Sequence, residues 1–203
     1  MKDKLNIVLI GGGSTWCPGI LKALTKHLDI FPLNRVCLYD IDAERQEPIG
    51  EFGKVLFAEE APGVEFIYTT DKDVAYTDID FALCQIRTGG YEMRSKDEKI
   101  PLSMGIIGQE TVGPGGMAYG MRSMRDMVEI VNDVRERSPE AWIINYTNPA
   151  ANIGIVDSVF ESVSAFATVG LTSGVSGTVN VISHLALIMT MFIGRVGPVS
   201  FAL

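Results

Sequence analysis

The sequence has no Cys-x-x-Cys pair and no run of lysines and arginines. Its three cysteines, Cys17, Cys37 and Cys84, stand at irregular spacing, two of them in apolar, strand-like runs. They read as reduced thiols with a packing role. Without a basic cluster, and with a net charge of −8, the chain is not expected to bind nucleic acid, whose phosphates demand clustered cations. The N-terminal MKDKLNIVLIGGG holds only a short apolar run that ends in glycines, so no export signal is expected. The scarcest feature is charge in the last quarter. After Ala151 only Asp157, Glu161 and Arg195 are charged, and Ser162 to Gly194 carries no charge. The acidic balance therefore belongs almost entirely to the front of the chain, and the two parts read as different kinds of polypeptide.

The front part alternates strand and helix. LNIVLI (Leu5 to Ile10) is apolar and partly β-branched, as a strand buried on both faces of a parallel sheet requires. Pro18 suits the first turn of the helix that follows, where a missing N–H does no harm. Ile20, Leu21, Leu24 and Leu28 continue at helical spacing. Further strands are expected at Arg35 to Asp40, Val64 to Thr70, Ile79 to Ile86 and Ala141 to Asn145. ERQEPIGEFGKVLFAEE reads as a helix weakened by Pro48 and two glycines. Ala118 to Arg137 is the clearest helix, with Met121, Met124, Met127, Val128 and Val131 along one face. This order predicts an α/β domain with a doubly wound, Rossmann-like parallel sheet over residues 1–151.

The candidate chemistry sits at strand ends. Gly11, Gly12, Gly13 and Ser14 follow the first strand, where a backbone without side chains can approach a pyrophosphate at a helix N-terminus. The G-x-G-x-x-G pattern is incomplete, because Trp16 stands at the third glycine position. Asp40 ends the second strand, where a carboxylate accepts the ribose hydroxyls of NAD and repels the 2′-phosphate of NADP. A tight turn for the glycines and a solvated turn residue beside Asp42 for the acid are the plainer alternatives. Ile86 to Gly116 reads as a long glycine-rich loop holding Arg87, Arg94, Lys96, Lys99, Gln109 and Glu110. It is either functional or a solvated mixed-charge segment.

GGGSTWCPG, LYDID, the segment from Ile86 to Ser123 and WIINYTNPAA together resemble the NAD-dependent glycoside hydrolases of family 4, over about residues 5–151. The AYGMRS continuation resembles the 6-phospho-α-glucosidase branch. The resemblance implies a cytosolic, homo-oligomeric enzyme that uses NAD and a divalent metal, usually manganese, on phosphorylated disaccharides. It also implies a redox-elimination route, outside the usual two-carboxylate chemistry. In that route carbon 3 of the sugar is oxidised, the proton on carbon 2 leaves, and the glycosidic oxygen is eliminated. Carried over by position, Gly11 to Ser14 hold the pyrophosphate, Asp40 the adenosine ribose, Arg94 the substrate and Asn148 the sugar. Glu110 matches an acid of the site. Asn148 as a turn residue before Pro149, and Arg94 paired with Glu92 or Asp97, stay open as alternatives. Val112 departs from the cysteine that relatives often carry.

The resemblance also implies metal ligands and a base downstream of TNP: a cysteine, a histidine and a tyrosine. No cysteine follows Cys84, no tyrosine follows Tyr146, and the only later histidine is His184 in an apolar run. The chain is therefore expected to bind NAD without turnover. A non-catalytic NAD-binding module is a second reading.

Residues 152–203 resemble potassium-translocating subunits of Trk/Ktr-type transporters instead. They read as a pore helix, a filter stretch Thr168-Val169-Gly170-Leu171, and a membrane helix from Thr178 to Leu203. Glycine suits a filter built from carbonyls, and the last segment is long enough to cross about 30 Å of hydrocarbon. This implies membrane association through residues 178–203 and a chimeric chain, with a transporter fragment as a third reading. A continuation of the soluble domain is the plainer alternative.

Overall fold

A computed structural model describes residues 4–148, all within the unit Met1–Ala150. Five strands form one parallel sheet: β1 (Leu5–Ile10), β2 (Leu33–Tyr39), β3 (Glu65–Thr69), β4 (Phe81–Cys84) and β5 (Trp142–Asn145). Their spatial order is β3-β2-β1-β4-β5, and every neighbouring pair runs parallel. The chain thus winds outward from β1 to β3, then returns to the other side of β1. The reversal opens a crevice between the C-terminal ends of β1 and β4, where open α/β sheets bind ligands.

The alternating faces of the central strands explain the layers. Ile7 and Leu9 of β1 and Val36 and Leu38 of β2 join one buried cluster with Leu21 and Phe57. Those last two come from α1 (Cys17–Lys26) and α2 (Ala43–Glu60). Val8, Ile10, Cys37 and Tyr39 point the other way and are also buried. On that face α3 (Lys72–Tyr76) sets Tyr76 against Tyr39, ring centroids 5.0 Å apart. α5 (Gly113–Arg137) packs beside α3.

α2 runs unbroken through Pro48 and its two glycines, as the expected helix. A Cβ on Gly50 would run into the Tyr68 ring and one on Gly53 into the Phe66 ring, so glycine lets helix and strand approach closely. Three expectations need correction. First, much of the expected loop from Ile86 to Gly116 is helix α4 (Gly90–Ser103). Its mixed charges are i,i+4 pairs, Lys96 to Glu92 at 2.7 Å and Arg94 to Glu98 at 2.9 Å, which support a helix. Second, α5 begins at Gly113, five residues ahead of the expected Ala118, with Pro114 in its first turn. Third, its buried face carries Tyr119, Ser123, Met127 and Val134, whereas Met121 and Val128 are exposed. Tyr119 and Ser123, one part polar and one small, turn inward where the methionine count suggested otherwise. The short α3, capped by the Asp71 carboxylate, went unanticipated.

Thr168, Val169, Gly170 and Leu171, with the membrane helix expected over 178–203, lie outside the described residues. No described helix is long and apolar enough to cross a membrane.

Candidate functional site

A cavity of about 1030 Å³ opens over the crevice at the C-terminal edge of the sheet. Its wall includes Gly11 and Ser14 after β1, Asp40 after β2, Arg87 after β4 and Asn148 after β5.

The glycine turn is shaped by crowding. Gly11 adopts φ +92°, and a Cβ there would lie 2.7 Å from the Gln85 carbonyl oxygen. On Gly12 it would lie 2.8 Å from the Leu38 Cβ, and on Gly13 3.0 Å from Asp40 Oδ2. The N–H groups of this turn face inward. Gly11 and Gly12 both donate to the Tyr39 carbonyl, at 2.9 and 2.8 Å. Gly13 donates to Asp40 Oδ2 at 2.7 Å, and Ser14 to the Gly11 carbonyl at 3.0 Å. The Thr15 N–H has no partner among the described residues. It sits beside Trp16, the residue that precedes α1. Donors for an anion at this helix end are thus Thr15 and the Ser14 hydroxyl, with the glycines supplying closeness.

Asp40 and Asp42 divide their duties. Asp42 caps α2 by accepting the Arg45 N–H at 3.1 Å. Asp40 accepts Gly13 N–H on one oxygen and Asp42 N–H, at 3.0 Å, on the other. Arg45 Nε closes the ring by donating to the Gly13 carbonyl at 3.0 Å. An ionised carboxylate has about four acceptor sites, so one remains on each Asp40 oxygen. That suffices for two ribose hydroxyls.

Cys17 lies beneath the turn, its Sγ accepting from Gln85 Nε2 at 2.9 Å. Burial pushes its pKa up from 9.0 to about 11. Cys37 and Cys84 are buried free thiols as well. All three therefore pack rather than react.

On the far side, Asn148 is held at the rim by its neighbour. The Thr147 hydroxyl is buried and accepts the Ile86 N–H at 3.1 Å. Arg94 and Glu110 pair with each other at 3.3 Å, and neither lines the cavity. Arg94 binds Glu98 and Glu110, not Glu92 or Asp97, because Glu92 is taken by Lys96 and Asp97 by Arg122. Val112 is exposed just before α5. The residues that sequence reasoning missed are Thr147, Gln85, Tyr119, Arg122 and Asp97. No local pattern in the sequence points to them, since their contacts join residues far apart in the chain.

The residues fit NAD: a steric cradle for a pyrophosphate, a helix start behind it, and an anchored carboxylate on the neighbouring strand. They do not fit manganese. Among the described residues no three metal-donor side chains converge, and no step here is routed through a metal.

Fold and site together define a Rossmann-like α/β domain with a cleft at the C-terminal edge of its parallel sheet. Residues 6–188 match the model of the family 4 glycosyl hydrolases, and the chain belongs to that family. Among curated relatives it is 52% identical over 148 residues to a 6-phospho-alpha-glucosidase of Leptotrichia buccalis, covering 73% of this chain and 34% of the relative. The chain thus spans about a third of the length of the curated relatives it matches. A 6-phospho-alpha-glucosidase from gut microorganisms, solved with NAD and Mn²⁺, superposes with a TM-score of 0.73 at 46% identity. That match covers 82% of this chain and 42% of the other. A second such enzyme, solved with NAD and glucose-6-phosphate, gives 0.72 at 39% identity, over 81% and 41% of the two chains. The family match continues past Ala151, where the sequence reading places a change of character.

Proposed function

We propose that residues 4–148 bind NAD, and that the protein of which they form part acts on 6-phosphorylated α-glucosides. The observation that carries the reading is Asp40, fixed at the end of β2 by the Gly13 and Asp42 N–H groups with one acceptor site left on each oxygen. The two similar enzymes solved with NAD support it. In this reading Thr15 N–H and the Ser14 hydroxyl meet the pyrophosphate, and Gly11 to Gly13 let it come close. Asp40 takes the adenosine ribose and disfavours a 2′-phosphate. Asn148 meets the sugar, and Arg94 and Glu110 act as a pair at the edge of the substrate region. NAD, when bound, supplies a reversible hydride acceptor. The manganese ligands and the base are not supplied by residues 4–148. A polypeptide of these 203 residues is therefore expected to bind the dinucleotide without turnover, since acid–base and electrophilic groups each contribute orders of magnitude to rate.

Titration calorimetry of the purified chain tests this. NAD is expected to bind at least tenfold more tightly than NADP. A folded chain that gives no heat with NAD refutes the reading. So does release of p-nitrophenol from a 6-phospho-α-glucoside, with NAD and manganese, for the no-turnover part.

For residues 152–203 the transporter-like reading rests on the sequence pattern alone. The reach of the family match to residue 188 favours the enzyme reading over most of that segment. Membrane fractionation of the expressed chain separates the two: recovery in the soluble fraction as a folded species removes the transporter reading.

A further inference from the structure

Among the described residues three cations line the cavity: Arg45, Lys72 and Arg87. Lys72 is answered twice, by Glu129 and Asp133 at 2.7 Å each. Arg87 follows β4 and is faced by the rings of Tyr119 and Tyr91, 5.4 and 5.9 Å from its central carbon. Arg45 stands on the other side of the glycine turn, in the first turn of α2 and just beyond Asp40. Its backbone N–H goes to Asp42 at 3.1 Å and its Nε to the Gly13 carbonyl at 3.0 Å. That carbonyl is neutral. A guanidinium has five N–H donors. The four on its terminal nitrogens meet no acceptor, and Arg45 forms no ion pair, among the described residues. The stem is nevertheless held close. A Cβ on Gly13 would lie 2.9 Å from Arg45 Cγ and 3.0 Å from Asp40 Oδ2. Glycine at this position therefore lets an acid and a fork stand side by side on the same wall.

We propose that Arg45 is a second determinant of cofactor choice, a donor group for a phosphate on the adenosine ribose that works against Asp40. The inference rests on the NAD reading above. Asp40 accepts ribose hydroxyls and repels a 2′-phosphate. A fork with its terminal donors uncommitted attracts the same phosphate. Because Arg45 is exposed, its pull is screened by salt and stays the weaker of the two. The preference for NAD is then a balance between an acid and a cation, rather than the work of Asp40 alone.

The test titrates the full 203-residue chain and its variants Arg45→Met, Arg45→Lys, Asp40→Asn and Asp40→Asn/Arg45→Met with NAD and with NADP. The readout is the ratio of the two dissociation constants, NADP over NAD, which damage to the fold or to the glycine turn alone does not move. Arg45→Met is expected to raise this ratio about tenfold, and Arg45→Lys by less, since a point charge replaces part of a fork. In the Asp40→Asn background, where the repulsion is gone, adding Arg45→Met is expected to weaken NADP about tenfold and to flatten its dependence on salt. A ratio that Arg45→Met leaves unmoved in both backgrounds overturns the proposal while the NAD reading stands. An equal loss of NAD and NADP assigns Arg45 to the pyrophosphate or to the turn and overturns it too. A folded wild type that binds neither dinucleotide brings down the NAD reading and this proposal with it.

Discussion

Replacing Gly11 with alanine strikes the site at its tightest point. The residue has φ +92°, a region that L side chains rarely enter, and holding alanine there costs about 1–3 kcal/mol. The new Cβ would also meet the Gln85 carbonyl oxygen at 2.7 Å and its carbon at 3.0 Å. Both are backbone atoms at the end of β4, tied to β1 by the Gln85 N–H to Ile10 carbonyl bond of 2.9 Å. They cannot rotate aside, so overpacking adds about 1–3 kcal/mol. The sum, about 2–6 kcal/mol, is a large share of the ~5–15 kcal/mol that holds a domain folded. Urea unfolding followed by circular dichroism reads the loss. NAD affinity is expected to fall at least tenfold in the folded fraction, because relief of the clash shifts the turn that presents Thr15. Gly53→Ala, under the Phe66 ring and away from the cavity, is the control for stability without the site. Gly19→Ala meets nothing within 4 Å in α1 and is expected to stabilise by ~0.5 kcal/mol. A Gly11→Ala protein within ~0.5 kcal/mol of wild type and with unchanged NAD affinity refutes the reasoning.

Asp40→Asn keeps an acceptor for Gly13 but loses the charge, so NAD is expected to weaken about tenfold or more while NADP does not weaken; a competition titration reads the ratio. Asp97→Ala strands the Arg122 guanidinium that it holds, Asp97 being 5% and Arg122 24% exposed at the side chain. A loss of about 3 kcal/mol is expected, at the low end for an orphaned buried charge because Arg122 keeps some solvent, and denaturant midpoints measure it. Burial raises Cys17 to about 11 and Cys37 and Cys84 to about 12. Each raised thiol stabilises the fold fully below its unfolded pKa of about 8.5, and that contribution is lost as pH climbs through 11–12. The folded chain should therefore resist thiol reagents at pH 8 and react with all three on unfolding; rapid labelling of the native protein would contradict this.

The sheet was legible because its strands are short, largely apolar runs, with β1 closed by glycines and β2 by Asp40. Helix α4 was not legible as a helix. Seven glycines across Ile86 to Gly116 suggest a loop, yet Gly89 and Gly90 only start the helix and Gly113 begins the next. What holds α4 is Asp97 to Arg122, a bond between helices that no local pattern displays. The family resemblance assigns Arg94 to the substrate, with an ion pair as the plainer alternative. The structure pairs it twice and leaves Arg87, seven residues earlier, as the fork on the cavity wall. Sequence marks which residues carry charge; only packing decides which of those charges is already answered.

The same distinction settles the incomplete glycine pattern. Trp16 stands where a third glycine would allow a helix to lie close on the sheet, which reads as a defect. In the fold Trp16 precedes α1, 77% exposed and on the wall of the cavity, so its bulk is not wedged between helix and sheet. The inward position belongs to the next residue, Cys17, fully buried with its Sγ 3.6 Å from the Gly11 carbonyl. A small thiol thus takes the close contact that a glycine would make. It follows that Trp16→Gly, which removes only a face of the cavity wall, should weaken NAD far less than enlarging Cys17 to leucine, which should push α1 off the Gly11 turn and abolish binding. Equal tolerance at the two positions would mean that the approach of α1 to the turn is not what shapes the site.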